Sequence, residues 1–149
     1  MFNTNRIKEL RITKKLSQLD IAKVLGVSRS SYAMWETNNN IIPLKRLLEL
    51  SNFYNVSLDY MLGFNNQNYE INENYNKDKS KERLKDFRKE NNITQEKLAN
   101  ILKIDQPTWS IYESGKSLIG TPFLYTICKK YNISADYLLG KTDSPKYLK

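Results

Sequence analysis

The side chains that could carry chemistry in this chain are mainly basic. Its 149 residues include 24 lysine and arginine side chains against 16 aspartate and glutamate side chains, which gives a formal net charge of +8. This balance favours a polyanionic partner, for which nucleic acid is the obvious candidate. An anionic membrane surface would need basic residues clustered beside exposed apolar ones, whereas the charges here are scattered. We therefore expect no membrane partner.

Residue types that support catalysis or metal binding are scarce. The chain has no histidine and one cysteine, Cys128, and it contains no glycine-rich phosphate loop. A zinc site would need several cysteine or histidine ligands at short spacing. Acidic residues such as Glu9 and Asp86 fall on helix surfaces in separate parts of the sequence. We expect neither an enzyme nor a bound cofactor or metal.

Cysteine usage and hydropathy favour a cytoplasmic protein. A single cysteine cannot form an internal disulfide, which fits a reducing compartment. The N-terminal sequence MFNTNRIKEL lacks the apolar run of a secretory signal. No segment is long and apolar enough to span a bilayer.

The sequence repeats itself without a gap. A shift of 77 residues places Arg6 on Arg83, and it places YNVSLDYMLG, residues 54–63, on YNISADYLLG, residues 131–140. Such internal similarity predicts two related domains. We assign them to residues 1–64 and 80–141.

The rest of the chain is polar. Residues 65–79, NNQNYEINENYNKDK, are rich in asparagine and lack apolar periodicity, so we predict a linker. Its later part could extend the first helix of the second domain. Residues 142–149 contain Pro145 and are predicted to be a loose tail.

Each repeat is predicted to form five helices. Apolar residues recur at helical spacing, and no window alternates at period two, so a sheet is not expected. In the first repeat Ser17, Ser28 and Ser57 are suitable N-caps. In the second repeat the expected N-caps are Ser80, Thr94, Asp105, Thr121 and Ser134.

The segment QLDIAKVLGVSRSSYAMW, residues 18–35, is typical of two short helices packed at a steep angle. Ala22 is small enough for the helices to cross closely, and Gly26 permits a left-handed turn between them. Tyr32 supplies an apolar group to the inner face of the second helix. Such a unit projects its second helix into the major groove of DNA.

These residues resemble the Cro/cI (XRE) family of helix-turn-helix DNA-binding domains. In the first repeat the similarity runs through Arg11, Ser17, Gln18, Ala22, Leu25 to Ser28, Trp35, Glu36 and the closing NVSLDYMLG. In the second repeat it runs through Arg88, Thr94, Gln95, Ala99, Glu113 to Lys116 and the closing NISADYLLG. The resemblance implies an all-α fold of two tandem five-helix, lambda-repressor-like domains joined by a polar linker.

The resemblance also implies a function. The chain would be a sequence-specific regulator of transcription that binds double-stranded DNA, a repressor of bacterial, phage or mobile-element origin, associated with the nucleoid when bound. Each third helix would enter the major groove. The implied DNA contacts of the first repeat are Ser17, Gln18, Ser28, Arg29, Ser30, Ala33, Met34, Thr37 and Asn39. Those of the second repeat are Thr94, Gln95, Gln106, Pro107, Ser110, Ile111 and Lys116.

The implied contacts divide into types. The starts of the second helices, at Gln18 and Gln95, would face phosphates. Arg29 could pair with a guanine, and Gln106 with an adenine. Two ion pairs would tie the first helix to the third in each repeat, and they join Arg11 to Glu36 and Arg88 to Glu113.

Several of these residues have a simpler interpretation. Ser17, Ser28 and Thr94 would cap helices whatever else they do. Arg29 could be a solvated surface charge, and Met34 and Ile111 could simply pack inside the domain. The lysines of the first helix of repeat two are interpreted as a solvent-exposed face, and they are Lys81, Lys85 and Lys89.

The second repeat departs from the family pattern. Lys103 replaces the turn glycine, and a lysine at positive φ costs about 1 kcal/mol, so we expect a different turn there. Pro107 and Ile111 leave its recognition helix poor in hydrogen-bond donors. This domain would therefore bind DNA weakly or mediate association. The alternative function is a protein-binding module, an antitoxin or a phage-encoded inhibitor, with weak or no DNA binding. A homodimer is also compatible with the sequence.

Overall fold

The computed structural model describes residues 5–66 and 74–146. Residues 1–4, 67–73 and 147–149 lie outside this description, and with them part of the predicted linker and tail. The described chain forms two compact units, one from each range. Every regular element in these two ranges is a helix, and each unit has five. None of the described helices is long and apolar enough to cross a bilayer.

The two units have the same order of helices, which confirms the predicted all-α class. The first unit contains α1 (Asn5–Thr13), α2 (Gln18–Leu25), α3 (Arg29–Glu36), α4 (Leu44–Tyr54) and α5 (Leu58–Met61). The second contains α6 (Lys77–Glu90), α7 (Gln95–Leu102), α8 (Gln106–Ser114), α9 (Thr121–Tyr131) and α10 (Ala135–Leu138).

Side-chain caps determine where most of these helices begin. The backbone N–H of Asp20 donates to Ser17 Oγ at 3.0 Å, and the backbone N–H of Ser17 donates to Asp20 Oδ2 at 2.8 Å. This reciprocal capping box satisfies two N–H groups at the start of α2. The other predicted caps that accept a first-turn N–H are Ser28, Ser57, Thr94, Asp105 and Ser134.

Two predicted caps are wrong. Helix α6 begins at Lys77, where the Asn76 side chain accepts a first-turn N–H at 3.0 Å, whereas Ser80 lies buried within the helix. The last residues of the predicted linker are therefore helical. Helix α9 begins at Thr121 itself, and its N-cap is Gly120, which has no side chain to accept the bond.

Each unit encloses its own apolar core. Ala22 and Ala99 are 0% and 1% exposed, as the close packing of the second and third helices requires. Periodicity also predicts an inward Val24, but that side chain is 49% exposed, and α2 buries Ile21 and Leu25 instead. A buried face of this kind supplies most of the stability of such short helices.

An arginine in the first helix of each unit holds the end of that unit in place. Arg6 donates to the backbone oxygens of Tyr60 at 2.7 Å and Asn65 at 2.9 Å, and it stacks 4.1 Å from the centre of the Tyr60 ring. Arg83 makes the equivalent contacts and reaches the backbone oxygen of Thr142 at 2.7 Å. Thr142, at the start of the predicted tail, therefore contacts the second unit.

The turn within the helix-turn-helix is the same in both units. Gly26 adopts φ 68° and Lys103 adopts φ 60°, and each backbone N–H donates to the carbonyls three and four residues earlier. The expectation of a different second turn is wrong, because Lys103 itself takes up the left-handed conformation. Packing of α7 against α8 keeps the turn in place despite the local cost.

Reciprocal substitutions at these two turns test that cost. Lys103→Gly should raise the free energy of unfolding by about 1 kcal/mol, because glycine adopts positive φ without a Cβ clash. Gly26→Lys should lower it by a similar amount. No atom lies within 4 Å of a Cβ added at Gly26, so only the backbone conformation opposes this change. Chemical denaturation of the full chain measures both, and a stable Gly26→Lys variant would contradict the argument.

Candidate nucleic-acid interface

The third helix of each unit has one buried face and one exposed face. Tyr32, Trp35 and Glu36 are buried on α3, and Trp109 and Glu113 are buried on α8. All the side chains implied as DNA contacts are at least partly exposed. Those that are half-buried are Gln18, Ala33, Gln95 and Ser110.

A buried carboxylate organises the first unit. The Glu36 side chain is 3% exposed, and Arg11 Nε donates to its Oε1 atom at 2.6 Å. Tyr32 Oη donates to the same oxygen at 2.8 Å, and Gln18 Nε2 donates to Oε2 at 2.9 Å. Burial raises the pKa of Glu36, but hydrogen bonds from these three side chains outweigh it and hold the pKa below its usual range. Glu36 is therefore a charged group at neutral pH.

The second unit repeats this arrangement with a different aromatic donor. Arg88 places Nε and Nη2 each 2.9 Å from the Glu113 carboxylate, and Trp109 Nε1 donates to it at 2.6 Å. Burial raises the pKa of Glu113, but hydrogen bonds from Arg88 and Trp109, with the positive charge of Arg88, bring it below its usual range. The structure thus brings together both predicted ion-pair partners in each unit.

In the first unit a glutamine connects the buried carboxylate with the surface, and the matching glutamine of the second unit also bonds the first side chain of its third helix. Because a carboxylate only accepts hydrogen bonds, Gln18 must turn its amide N–H towards Glu36 and its oxygen outwards. That oxygen accepts from Arg29 Nη1 at 3.1 Å. In the second unit Gln95 Oε1 accepts from Gln106 Nε2 at 2.7 Å. The first side chain of each third helix is therefore held by a hydrogen bond at the exposed face.

Sequence patterns alone missed the part that Tyr32 and Trp109 play. The pattern predicts only an apolar group at Tyr32 on the inner face of the helix, yet Tyr32 and Trp109 each direct their one polar hydrogen at the buried carboxylate. The available signal was their equivalence under the 77-residue shift, since 32 + 77 = 109. Two aromatic residues at one matched position, each with a hydrogen-bond donor at the end of the ring, indicate a shared acceptor.

Other implied contacts have partners within their own helix. The Ser28 hydroxyl accepts the Ser31 N–H at 3.1 Å as a cap, and the Thr37 hydroxyl donates to backbone carbonyls of α3. Met34 and Ile111 are 43% and 41% exposed, so the interpretation of these two as packing residues is wrong. They place apolar surface on the exposed face of α3 and α8.

Comparison with known proteins places a related motif in each unit. A family model described as "Helix-turn-helix" matches residues 7–61, and one described as "Helix-turn-helix domain" matches residues 81–144. No solved structure matches the chain significantly.

Three similar proteins come from Bacillus subtilis (strain 168). The "Uncharacterized HTH-type transcriptional regulator YqaE" is 35% identical over 109 residues, which cover 70% of this chain and 89% of YqaE. The "Uncharacterized HTH-type transcriptional regulator YobD" is 38% identical over 58 residues, 39% of this chain and 52% of YobD. The "SPbeta prophage-derived uncharacterized HTH-type transcriptional regulator YonR" is 34% identical over 68 residues, 46% of this chain and 63% of YonR. The chain thus spans about half of YobD and most of YqaE.

Removal of the Glu36 carboxylate tests how much it contributes to the stability of the fold. Glu36→Ala should lower the free energy of unfolding by about 3 kcal/mol, because Arg11, whose side chain is 12% exposed, then lacks its counter-charge. Glu49→Ala is the matched control, since the pair of Glu49 with Arg46 is more exposed than that of Glu36 with Arg11 and its loss should cost at most about 1 kcal/mol. Chemical denaturation compares the two variants, and equal losses would contradict the assignment.

Acid titration gives a second readout for Glu36→Ala. A carboxyl whose folded pKa lies below its unfolded value of about 4.3 stabilises the fold fully above that pH. This stabilisation is lost as the pH falls through the folded pKa, which for Glu36 is lowered. Glu36→Ala should therefore flatten the decline of stability below about pH 4.3 relative to the unmodified chain, and an unchanged decline would contradict the assignment.

Proposed function

This chain belongs to the Cro/cI (XRE) family of helix-turn-helix transcriptional regulators, and from that premise we propose that it is a sequence-specific repressor that recognises duplex DNA with α3 and α8. The observation that carries the proposal is that a glutamine of the second helix holds the exposed first side chain of each recognition helix by a hydrogen bond, and that in the first unit this glutamine is also bonded to the buried Glu36 carboxylate. Ordered side chains at this place are what direct base readout requires, because their conformational freedom is already restricted before DNA binds.

The first unit supports readout of a guanine. Arg29 stands exposed at the first position of α3, and its guanidinium keeps donors beyond the one given to Gln18. A guanidinium matches the O6 and N7 acceptors of guanine in the major groove. Ser30 is exposed beside it, and Met34, one turn further along, offers an apolar contact suited to a thymine methyl group.

The second unit supports readout of an adenine. One N–H of Gln106 is committed to Gln95, which leaves the other N–H and the amide oxygen available. An amide presents this donor and acceptor to N7 and N6 of adenine. Pro107 has no backbone N–H to add, and Ile111 contributes an exposed apolar surface. This face recognises fewer features of a base pair than α3 does.

Contacts to the phosphates would position both recognition helices. The unpaired backbone N–H groups at the start of α2 and α7 provide donors for an anion beside Gln18 and Gln95. Exposed Lys116, just after α8, adds a positive charge at the other end of the motif. These contacts fix the register of the motif on the duplex and do not distinguish sequences.

The proposed repression rests on the protein occupying a promoter, and the proposed origin rests on similarity to a relative. A regulator that covers successive stretches of duplex excludes polymerase from the same sequence, so binding at a promoter represses without a further partner. The printed name of YonR describes that relative as prophage-derived, which supports a phage or mobile-element origin for this chain as well.

Arg29→Ala tests base readout. On the best duplex site it should cost about 1–3 kcal/mol of binding free energy and relax the preference at one base pair. Lys23→Ala is the matched control, because Lys23 is exposed on α2 but lies outside the implied contacts. Fluorescence anisotropy with a panel of duplexes measures both affinity and preference.

Two results of this experiment would count against the proposal. If the unmodified chain fails to bind a broad pool of duplexes at low salt, it is not a DNA-binding regulator. If Arg29→Ala weakens binding equally on every duplex, Arg29 contacts a phosphate and not a base.

A further inference from the structure

The first turns of helix α6 are rich in lysine. They carry the sequence KDKSKERLK, residues 77–85. The 77-residue shift places Lys81 on Thr4 and Lys85 on Lys8. Lys81 therefore has no basic counterpart in the first unit, whereas Lys85 has one.

Two of these lysines reach the end of the recognition helix. Gly115 caps the C-terminus of α8 with φ 79°, and a Cβ built there would lie 2.6 Å from Lys81 Cγ and 3.3 Å from Lys77 Cε. The lysine stems thus occupy the space that a side chain at this position would need. Lys116 follows directly, so three lysines surround the turn that leaves α8. In the first unit the residue equivalent to Gly115 is Asn38.

An open groove joins this lysine face to the helix-turn-helix. It has a volume of about 620 Å³. The basic and polar residues that line it are Lys81, Lys85, Arg88, Gln95, Ser110 and Ser114. Gln95 is an implied phosphate contact and Ser110 an implied base contact. The lysines of α6 therefore share a surface with both kinds of DNA contact.

The charges of these lysines are available to a ligand. Arg88 pairs with Glu113, and Lys79 and Arg83 lie within ion-pair distance of Asp143. Among the residues that the structure describes, Lys77, Lys81 and Lys85 have no such acidic partner and are exposed. An ammonium on a flexible stem binds a phosphate as a point charge, with no requirement for a particular base.

We propose that Lys77, Lys81 and Lys85 bind the phosphate backbone of duplex DNA and make the second unit a sequence-independent anchor. This inference rests on the proposed function and adds a role for α6 to it. It also explains why a recognition helix with Pro107 and Ile111 can still contribute to binding. The second unit supplies affinity through phosphates, and the first supplies most of the base preference.

Acidic residues in the same groove provide a second test, because removal of their charge should change DNA affinity in the opposite direction. Asp78 and Glu82 line the groove beside the lysines, and Glu113 is neutralised by its arginine. If a DNA backbone runs along this surface, Glu82 repels it. Removal of that charge should then strengthen binding, whereas removal of a lysine charge weakens it.

The experiment measures duplex affinity of the full chain against salt concentration. Each lysine that neutralises one phosphate contributes about 0.9 to the slope of log affinity against log salt, so Lys77→Gln, Lys81→Gln and Lys85→Gln together should lower the slope by up to about 2.7. The loss should be the same on preferred and random duplexes. Glu82→Gln should raise affinity at low salt. Lys89→Gln, exposed on the same helix but neither lining the groove nor among the lysines beside Gly115, should change neither quantity.

The outcomes separate this inference from the proposed function. A triple variant that keeps its thermal stability and its full salt slope, while the unmodified chain binds duplex DNA, overturns the anchor alone. A change in base preference in the triple variant also overturns it, because the lysines would then act through α8. If the unmodified chain binds no duplex at low salt, both proposals fail.

Discussion

The exposed face of each unit depends on one buried carboxylate. Glu36 and Glu113 each accept hydrogen bonds from an arginine of the first helix and an aromatic donor of their own helix, and Glu36 accepts a further one from Gln18 of the second helix. A buried charge of this kind is tolerated only when donors surround it, and here the donors come from more than one helix. The same hydrogen bonds that keep the carboxylate ionised also fix the angle between those helices.

One scaffold thus presents two different surfaces. The bond to Glu36 fixes the orientation of the Gln18 amide, whose oxygen accepts from Arg29, and in the second unit the oxygen of Gln95 accepts from Gln106. The inner part of the network is shared, while the outermost residue differs. Variation at the surface changes the chemistry offered to DNA without disturbing the ion pair beneath it. This separation explains how a duplicated domain can acquire two specificities.

Much of the fold was predictable from the sequence because it depends on local rules. The caps at Ser28 and Asp105 follow from residue type and position, and the repeat fixes the number of helices. Contacts between distant residues were harder to predict. Nothing local distinguishes Asn76 from Ser80 as the start of α6, and the left-handed Lys103 is imposed by packing on both sides of its turn. The groove beside α6 required the structure, because Lys81 and Lys89 look equivalent along the chain.

The central claim is that two helix-turn-helix units of one chain recognise duplex DNA through different side chains, each held by the equivalent glutamine of its unit. Selection of bound fragments from a random duplex pool by the full chain tests it most directly. The account predicts an asymmetric consensus, with a guanine contact attributable to Arg29 in one part and a weaker adenine preference attributable to Gln106 in the other. A palindromic consensus, or a bound pool with no consensus at all, would contradict it.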